Sequence, residues 1–291
     1  TNDNNTPADG TYAAHASIDG GTTNLIIGTS TIDGNLTLLS GGTITDTASS
    51  TVTVKGDLNV TTDANNSNIT LDGLEVGGAY ILDPHGTGIV TIVNAAGIDF
   101  VAMTVDGALS ATATTGNITQ SGALTITGTT TLITSADNAT ITLNDAGNAF
   151  TGKLLITTND TGSETDGDVE IDGGTTNLIL GASTIDGDLT LRSGGTITDD
   201  GIATVRGTLT ATTDQSNKII TLDELAVTGA FTLAPDGTGA VTIVNAAGLN
   251  LAASTMGGTF SGTATTGNII QGAAVTVTGT SSFTTSATNG V

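Results

Sequence analysis

The segment richest in candidate ligands lies near the middle of the chain, where residues 159–172 read NDTGSETDGDVEID. In an extended chain every second side chain points the same way, so carboxylates at alternate positions of 166–172 would share one face and repel one another. A hard divalent cation relieves such repulsion, and Ca²⁺ prefers oxygen ligands. The sequence therefore predicts a calcium site, with a merely solvated acidic strand and loop as the alternative. Its ligands would be Asp160, Glu164, Asp166, Asp168, Glu170 and Asp172.

Residues for catalysis are sparse. The chain has 2 His, and the counterpart of His85 in an internal repeat is Asp236, so a catalytic histidine there would exist in one copy only. Polysaccharide lyases need cations to hold a carboxylate and to act as a base. Of the 5 Lys and Arg residues, Lys55 and Arg206 occupy equivalent repeat positions, which favours a solvated surface position over a unique active site. We predict that the chain is not an enzyme and has no catalytic residues.

The composition and charge of the chain argue against two classes of partner, nucleic acids and membranes. Asp and Glu number 28, the formal net charge is -23, and the mean hydropathy is +0.19. Such a charge repels phosphate backbones and anionic membrane surfaces, and no apolar run approaches the roughly 20 residues of a spanning helix. We therefore expect no nucleic-acid binding and no membrane insertion. The absence of Cys fits a secreted bacterial protein, and the start at Thr1 suggests a mature or excised piece of something longer.

A long internal duplication organises the chain. Ile18 to Asp46 reads IDGGTTNLIIGTSTIDGNLTLLSGGTITD and returns 153 residues later, from Ile171, as IDGGTTNLILGASTIDGDLTLRSGGTITD. After a two-residue deletion the offset is 151, as in GTGIVTIVNAAGID from Gly86 and GTGAVTIVNAAGLN from Gly237. We predict a lead-in over 1–17, a first repeat over 18–170 and an incomplete second repeat over 171–291. Together they would form one continuous solenoid.

A shorter unit recurs within each repeat at a spacing of roughly 20 to 24 residues, which is typical of a solenoid. Apolar residues alternate with Thr or other small polar residues, as at Leu36/Leu38 and Leu189/Leu191, which indicates strands rather than helices. Gly, Asn and Asp at the joins favour turns. The pattern predicts an all-β fold: a right-handed parallel β-helix of about 13 coils, each coil being one turn of the solenoid.

The unit GNLTLLSGGTIT at Gly34 to Thr45, repeated as GDLTLRSGGTIT at Gly187 to Thr198, resembles the repeat regions of filamentous-haemagglutinin-like large bacterial adhesins. The run from Gly107 to Gly128 is similar to the same class. The resemblance implies a secreted protein that forms a β-helical stalk at the cell surface and mediates adhesion or matrix cohesion.

We therefore expect a non-enzymatic structural or adhesive segment of a large secreted bacterial surface protein, acting as a stiff stalk or matrix element. The alternatives are a self-assembling filament or sheath subunit stacked end to end, a carbohydrate-active β-helix enzyme, and an ice-binding solenoid. Against the last, Thr-x-Thr pairs do not recur once per coil at a fixed position. The expected partners are neighbouring coils or identical chains at open solenoid ends, and cell-surface or matrix glycans.

Overall fold

The computed structural model describes residues 14–159, 162, 166–288 and 290. Within these residues the chain consists of strands and turns without a helix, and none of it forms a helix long and apolar enough to cross a membrane. The chain divides into two compact units, one ending at Ala136 and the other beginning at Asp137, and each is described by itself.

The first unit contains sixteen short strands in its described part. They are β1 Ala16–Asp19, β2 Leu25–Ile27, β3 Ser30–Ile32, β4 Leu36–Ser40, β5 Ile44–Asp46, β6 Val52–Val54, β7 Leu58–Thr62, β8 Ile69–Val76, β9 Ala79–Asp83, β10 Val90–Asn94, β11 Ile98–Phe100, β12 Met103–Val105, β13 Leu109–Ala113, β14 Ile118–Gln120, β15 Leu124–Ile126 and β16 Thr130–Thr134. All of their pairings are parallel. One sheet runs β1-β4-β7-β9-β11-β14 and a second runs β2-β5-β8-β10-β13-β16, while β3 pairs with β6 and β12 with β15.

The second unit repeats this plan. Its strands are β17 Ile141–Leu143, β18 Ala149–Phe150, β19 Lys153–Thr157, β20 Val169–Asp172, β21 Leu178–Ile185, β22 Leu189–Ser193, β23 Ile197–Val205, β24 Leu209–Thr213, β25 Ile220–Val227, β26 Ala230–Pro235, β27 Val241–Asn245, β28 Leu249–Leu251, β29 Ser254–Met256, β30 Phe260–Ala264, β31 Ile269–Gln271, β32 Val275–Val277 and β33 Ser281–Thr285. One sheet runs β17-β20-β22-β24-β26-β28-β31, the other β19-β21-β23-β25-β27-β30-β33, and β29 pairs with β32. The predicted parallel β-solenoid of about 13 coils is confirmed.

The core follows from the alternation in the sequence. In β4 the side chains of Leu36 and Leu38 are buried, while the residues between them are only half-buried, and β22 repeats this with Leu189 and Leu191. Burying one such side chain stabilises the fold by about 1.5 to 3 kcal/mol. Because each coil contributes only a few of these residues, the core is a set of stacked aliphatic rows in which the unit of stability is the contact between neighbouring coils.

Turns between strands are fixed by residues that accept a left-handed backbone. Asn66 and its counterpart Asn217 have φ of 62° and 67°, and asparagine is among the few residues that tolerate this region. The side-chain oxygen of Asn66 accepts hydrogen bonds from the amide and the hydroxyl of Thr87 on the next coil, and Asn217 does the same with Thr238. The turn is thus bonded to the coil that follows it.

Candidate functional site

The predicted calcium ligands do not all lie on one extended strand. Strand β20 begins at Val169, and Gly167, two residues before it, has a φ of 72°, in the left-handed region. The premise that residues 166–172 are extended is therefore wrong, because left-handed backbone breaks the alternation of side chains. Asp160 and Glu164 lie outside the described residues. Glu170 is exposed in β20, where it is paired in register with Thr142 and Thr190.

Asp168 takes part in a hydrogen-bond ladder between coils. Its Oδ1 accepts the backbone N–H of Asp188 at 2.8 Å, and Oδ1 of Asp188 accepts the N–H of Thr208 at 2.7 Å. The first repeat has the same ladder with other residues, since His15 Nδ1 accepts the N–H of Asn35 at 3.0 Å. His15 and Asp168 are 153 residues apart, so they occupy one repeat position. This repeat position requires a side chain that accepts a hydrogen bond, and both histidine and aspartate supply one.

Asp172 is also held by its surroundings. Its side chain is buried, Oδ1 accepts the N–H of Gly174 at 2.7 Å, and Oδ2 lies 3.5 Å from Nε of Arg192. Arg192 lies closer to Asp214, with 2.6 Å between Nε and Oδ2. Burial raises the pKa of Asp172, although the hydrogen bond from Gly174 and the charge of Arg192 act in the opposite direction. Asp172 therefore belongs to an ion-pair network that the sequence analysis missed.

Asp166 faces a different set of groups. Desolvation raises the pKa of this carboxyl, as do the nearby charges of Asp137 and Asp186, and one of its oxygens is buried without a hydrogen-bond partner in the described structure. Asp186 itself forms an ion pair with Arg206. Of the described carboxylates in this segment, Asp168 belongs to the ladder and Asp172 to the Arg192 network, while Asp166 lies near Asp137 and Asp186 and Glu170 is exposed.

Within the described ranges, no three or more His, Asp or Glu side chains are arranged to hold a metal ion. The calcium site stays a prediction, because two of its six proposed ligands are not described.

Two ion pairs, each joining a buried carboxylate to a partly exposed cation, occupy equivalent places in the two repeats. Lys55 Nζ lies 2.5 Å from Asp33 Oδ1, and Asp33 is 4% exposed at its side chain. The contact is an ion pair without a hydrogen bond. In the second repeat Nη1 of Arg206 donates to Oδ1 of Asp186, which is 1% exposed. Lys55 and Arg206 are about a third exposed at their side chains, and each neutralises a buried carboxylate on the preceding coil, which the sequence analysis did not predict.

Hydroxyl side chains form a column on one face of each unit. In the first unit the register aligns five of them on consecutive coils, namely Thr45, Thr70, Thr91, Ser110 and Thr131. The second unit aligns their counterparts Thr198, Thr221, Thr242, Ser261 and Ser282. The adjacent column is interrupted by Val93 and Ile133 in the first unit and by Val244 in the second. The sequence analysis missed this column because the coils differ in length.

Comparison with known proteins gives a family. A family model described as repeats of unknown function (DUF5649) matches residues 13–81, 87–157, 166–234 and 238–291. The first and third matches are 153 residues apart and the second and fourth are 151 apart, so each long repeat contains two family repeats. No curated protein matches the chain, and no solved structure matches it. The chain belongs to the DUF5649 repeat family.

Proposed function

We propose that this DUF5649 chain is a non-enzymatic structural or adhesive segment of a large secreted bacterial surface protein, acting as a stiff stalk or matrix element. The observation that carries the proposal is the use of polar side chains in bonds between coils. Groups that could do chemistry in another fold are engaged here with the backbone of the neighbouring coil.

Two buried asparagines illustrate this use. Oδ1 of Asn94 accepts the N–H of Val76 at 2.8 Å, and its Nδ2 donates to the carbonyls of Val76 and Gly97. Asn245 makes the same three bonds to Val227 and Gly248. A fully satisfied buried polar group rigidifies its surroundings. Bonds of this kind resist the separation of neighbouring coils, which is the property that a stalk requires.

Charge and resemblance support the same role. A net charge of -23 keeps copies soluble and apart. The repeat unit resembles those of filamentous-haemagglutinin-like adhesins, from which the extracellular location and the cell-surface or matrix glycan partners are taken.

Pulling on single molecules tests the mechanical role. We expect the chain to resist force and then to open in steps that correspond to one or a few coils, because each coil contacts only its neighbours. Extension without force peaks would contradict a stalk. A screen against acidic and neutral polysaccharides tests the non-enzymatic part, and turnover of any of them would contradict it.

A self-assembling filament subunit is the second candidate. No Asp, Glu, Lys, Arg or His occurs after Asp236, so the coils of β31–β33 carry no side-chain charge to oppose stacking. Phe283 and Ile270 in these coils are 52% and 53% exposed. Electron microscopy separates the two candidates. Long unbranched fibres of the purified chain would support the filament, and isolated particles would support the stalk.

A further inference from the structure

One turn of the first unit contains an Asp–Pro peptide bond followed by a histidine. Residues 82–86 read LDPHG, and strand β9 ends at Asp83. Asp83 and His85 are exposed, whereas Pro84 between them is buried. The carboxylate and the imidazole therefore lie on the outer surface of the coil, on the two sides of the buried proline ring. A reaction of the chain on itself at this bond needs no substrate site.

The backbone of this turn is held by the preceding coil. The N–H of His85 donates to Oγ1 of Thr62 at 3.1 Å, and the carbonyl of His85 accepts the N–H of Asn66 at 2.8 Å. Pro84 has no N–H to donate to the sheet. The side chains of Asp83 and His85, by contrast, have no hydrogen bond or ion pair among the described residues. Unlike the polar side chains that bond neighbouring coils, these two are positioned by their backbone and remain free to react.

The second repeat has the same turn without the reactive groups. At the equivalent positions, 151 residues later, stand Ala234, Pro235 and Asp236. The N–H of Asp236 again donates to a threonine of the preceding coil, Oγ1 of Thr213, at 3.1 Å. The Asp236 carboxylate, however, accepts a hydrogen bond from Oγ of Ser216 at 2.7 Å. The turn thus recurs without a carboxylate before the proline, which makes it a control within the same molecule.

We propose that the chain cleaves itself between Asp83 and Pro84. The Asp83 carboxylate attacks the main-chain carbonyl carbon of its own residue and closes a five-membered anhydride, while the bond from that carbon to the Pro84 nitrogen breaks. That nitrogen takes the proton of the His85 imidazolium as it leaves. Water then opens the anhydride to two carboxyl groups and releases a proton that recharges the imidazole. The net reaction is the hydrolysis of one peptide bond, once in each molecule, and not the turnover of a substrate.

Three chemical properties favour the reaction at this bond. A carboxylate can act as a covalent nucleophile, and its place on the same residue as the carbonyl carbon keeps the two within reach. A histidine beside the leaving nitrogen supplies a general acid, which typically raises a rate by about 100-fold or more. The proline nitrogen leaves as a secondary amine, which takes up a proton readily.

Cleavage would leave the solenoid assembled. Strand β9, before the bond, stays paired with β7 and β11, and β10, after it, stays paired with β8 and β13. The two fragments therefore separate only when the coils are opened. The cleaved bond marks a point at which load passes through contacts between coils alone. The reaction itself does not depend on the stalk function.

Incubation of the folded chain at about pH 5.5, where carboxylates and imidazolium groups coexist, tests the proposal. Mass spectrometry after denaturation should show the fragments 1–83 and 84–291, whose masses together exceed that of the intact chain by one water. Hydroxylamine in the buffer should convert the new end of the first fragment to a hydroxamate, which is the product of trapping an anhydride. The bond between Ala234 and Pro235 should stay intact.

Three variants assign the roles. Asp83→Ala gives the first turn the residue type of the second, so it should abolish cleavage without disturbing the fold, which circular dichroism checks. His85→Gln keeps a polar side chain that cannot supply the proton, so cleavage should slow at least about 10-fold. Ala234→Asp combined with Asp236→His transfers the reactive groups to the second turn and should create cleavage between residues 234 and 235.

Three results would overturn the proposal. The first is a chain that stays intact throughout the incubation, and the second is cleavage of Asp83→Ala at the rate of the unchanged chain, which would indicate a contaminating protease. The third is equal cleavage of the folded chain and of the chain unfolded in urea, which would reduce the reaction to the general acid lability of Asp–Pro bonds. Equal rates for His85→Gln and the unchanged chain would overturn the role given to His85.

Discussion

The two long repeats have the same architecture but fill several equivalent positions with different chemistry. The buried carboxylate is Asp33 beside a lysine in the first repeat and Asp186 beside an arginine in the second. The ladder acceptor is His15 in one and Asp168 in the other. The difference shows that each position is constrained by a role, such as neutralising a buried charge or accepting an amide, more than by a residue type.

Removing the cation from the buried pair should have the largest effect. Lys55→Met leaves the carboxylate of Asp33 buried and uncompensated, and Arg206→Met does the same to Asp186. We expect each to lower the free energy of unfolding by about 2 to 4 kcal/mol, somewhat less than for a fully buried pair because both cations are about a third exposed. Urea-induced unfolding measures the loss.

Lys153→Met is the matched control, because its pair with Asp200 is exposed on both sides, at 45% and 63%. Exposed pairs contribute less than about 1 kcal/mol. Lys55→Arg gives the first repeat the residue type that the second repeat has at this position. We therefore expect it to leave the free energy of unfolding close to that of the unchanged chain. If Lys55→Arg lowers the free energy of unfolding as much as Lys55→Met does, the two cations are not interchangeable at this position.

The buried asparagines sharpen the comparison because here the two repeats agree in residue as well as role. Asn94→Ala orphans the N–H of Val76 and two carbonyls inside the protein, and Asn245→Ala does so at Val227 and Gly248. We expect each to cost about 2 to 3 kcal/mol in unfolding free energy. Asn59→Ala, on an outward-facing position of β7, should change it by less than about 0.5 kcal/mol. Clearly unequal losses at the two buried sites would show that the repeats are not energetically equivalent.

The fold was predictable from the sequence because the alternation of apolar and polar residues that marks each strand involves only residues close together in the chain. Leu36 and Leu38 reveal a strand without any knowledge of its neighbours, and the duplication reveals the stacking. The pairing of Lys55 with Asp33 depends on register between coils, and the separation of paired residues varies. The ladder links residues 20 apart at Asp188 and Thr208, whereas its counterpart in the first repeat links residues 22 apart at Asn35 and Asp57. A variable coil length hides side-chain partners even when every strand is found.

The extended conformation predicted for residues 166–172 was wrong for a related reason. The carboxylates at alternate positions of 166–172 predicted a strand. However, Gly167 has a positive φ, and the Asp172 carboxylate accepts the N–H of Gly174 in the turn that follows. Alternation in sequence equals alternation in space only where the backbone is extended. Glycine next to aspartate is a turn signal, and it outweighed the alternation here.

An aromatic position distinguishes the repeats by a single oxygen. Tyr80 packs edge-on against Phe100 with ring centroids 6.2 Å apart, and its hydroxyl is buried without a hydrogen-bond partner among the described residues. Burial accordingly raises the pKa of Tyr80. The counterpart is Phe231, also fully buried. We expect Tyr80→Phe to raise the free energy of unfolding by about 1 kcal/mol and Phe231→Tyr to lower it by about 1 to 3 kcal/mol. A loss from Tyr80→Phe would reveal a partner for the hydroxyl.

The smallest expected effect is a pH dependence at Asp199 of the second repeat. Its carboxylate accepts the N–H groups of Asp223 and Glu224 at 3.0 and 2.9 Å, but desolvation outweighs these bonds, and with the charge of Asp223 it raises the pKa of Asp199. A raised folded-state pKa means that the protonated group favours folding. The stabilisation is full below the ordinary value of about 3.9 and is lost as pH rises through the folded pKa. We therefore expect the melting temperature to fall with pH just above 4, and to fall less steeply in Asp199→Asn, whatever that variant's absolute stability. A carbon-13 titration of the Asp199 carboxyl locates the midpoint directly, and a midpoint at or below about 3.9 would contradict the assignment.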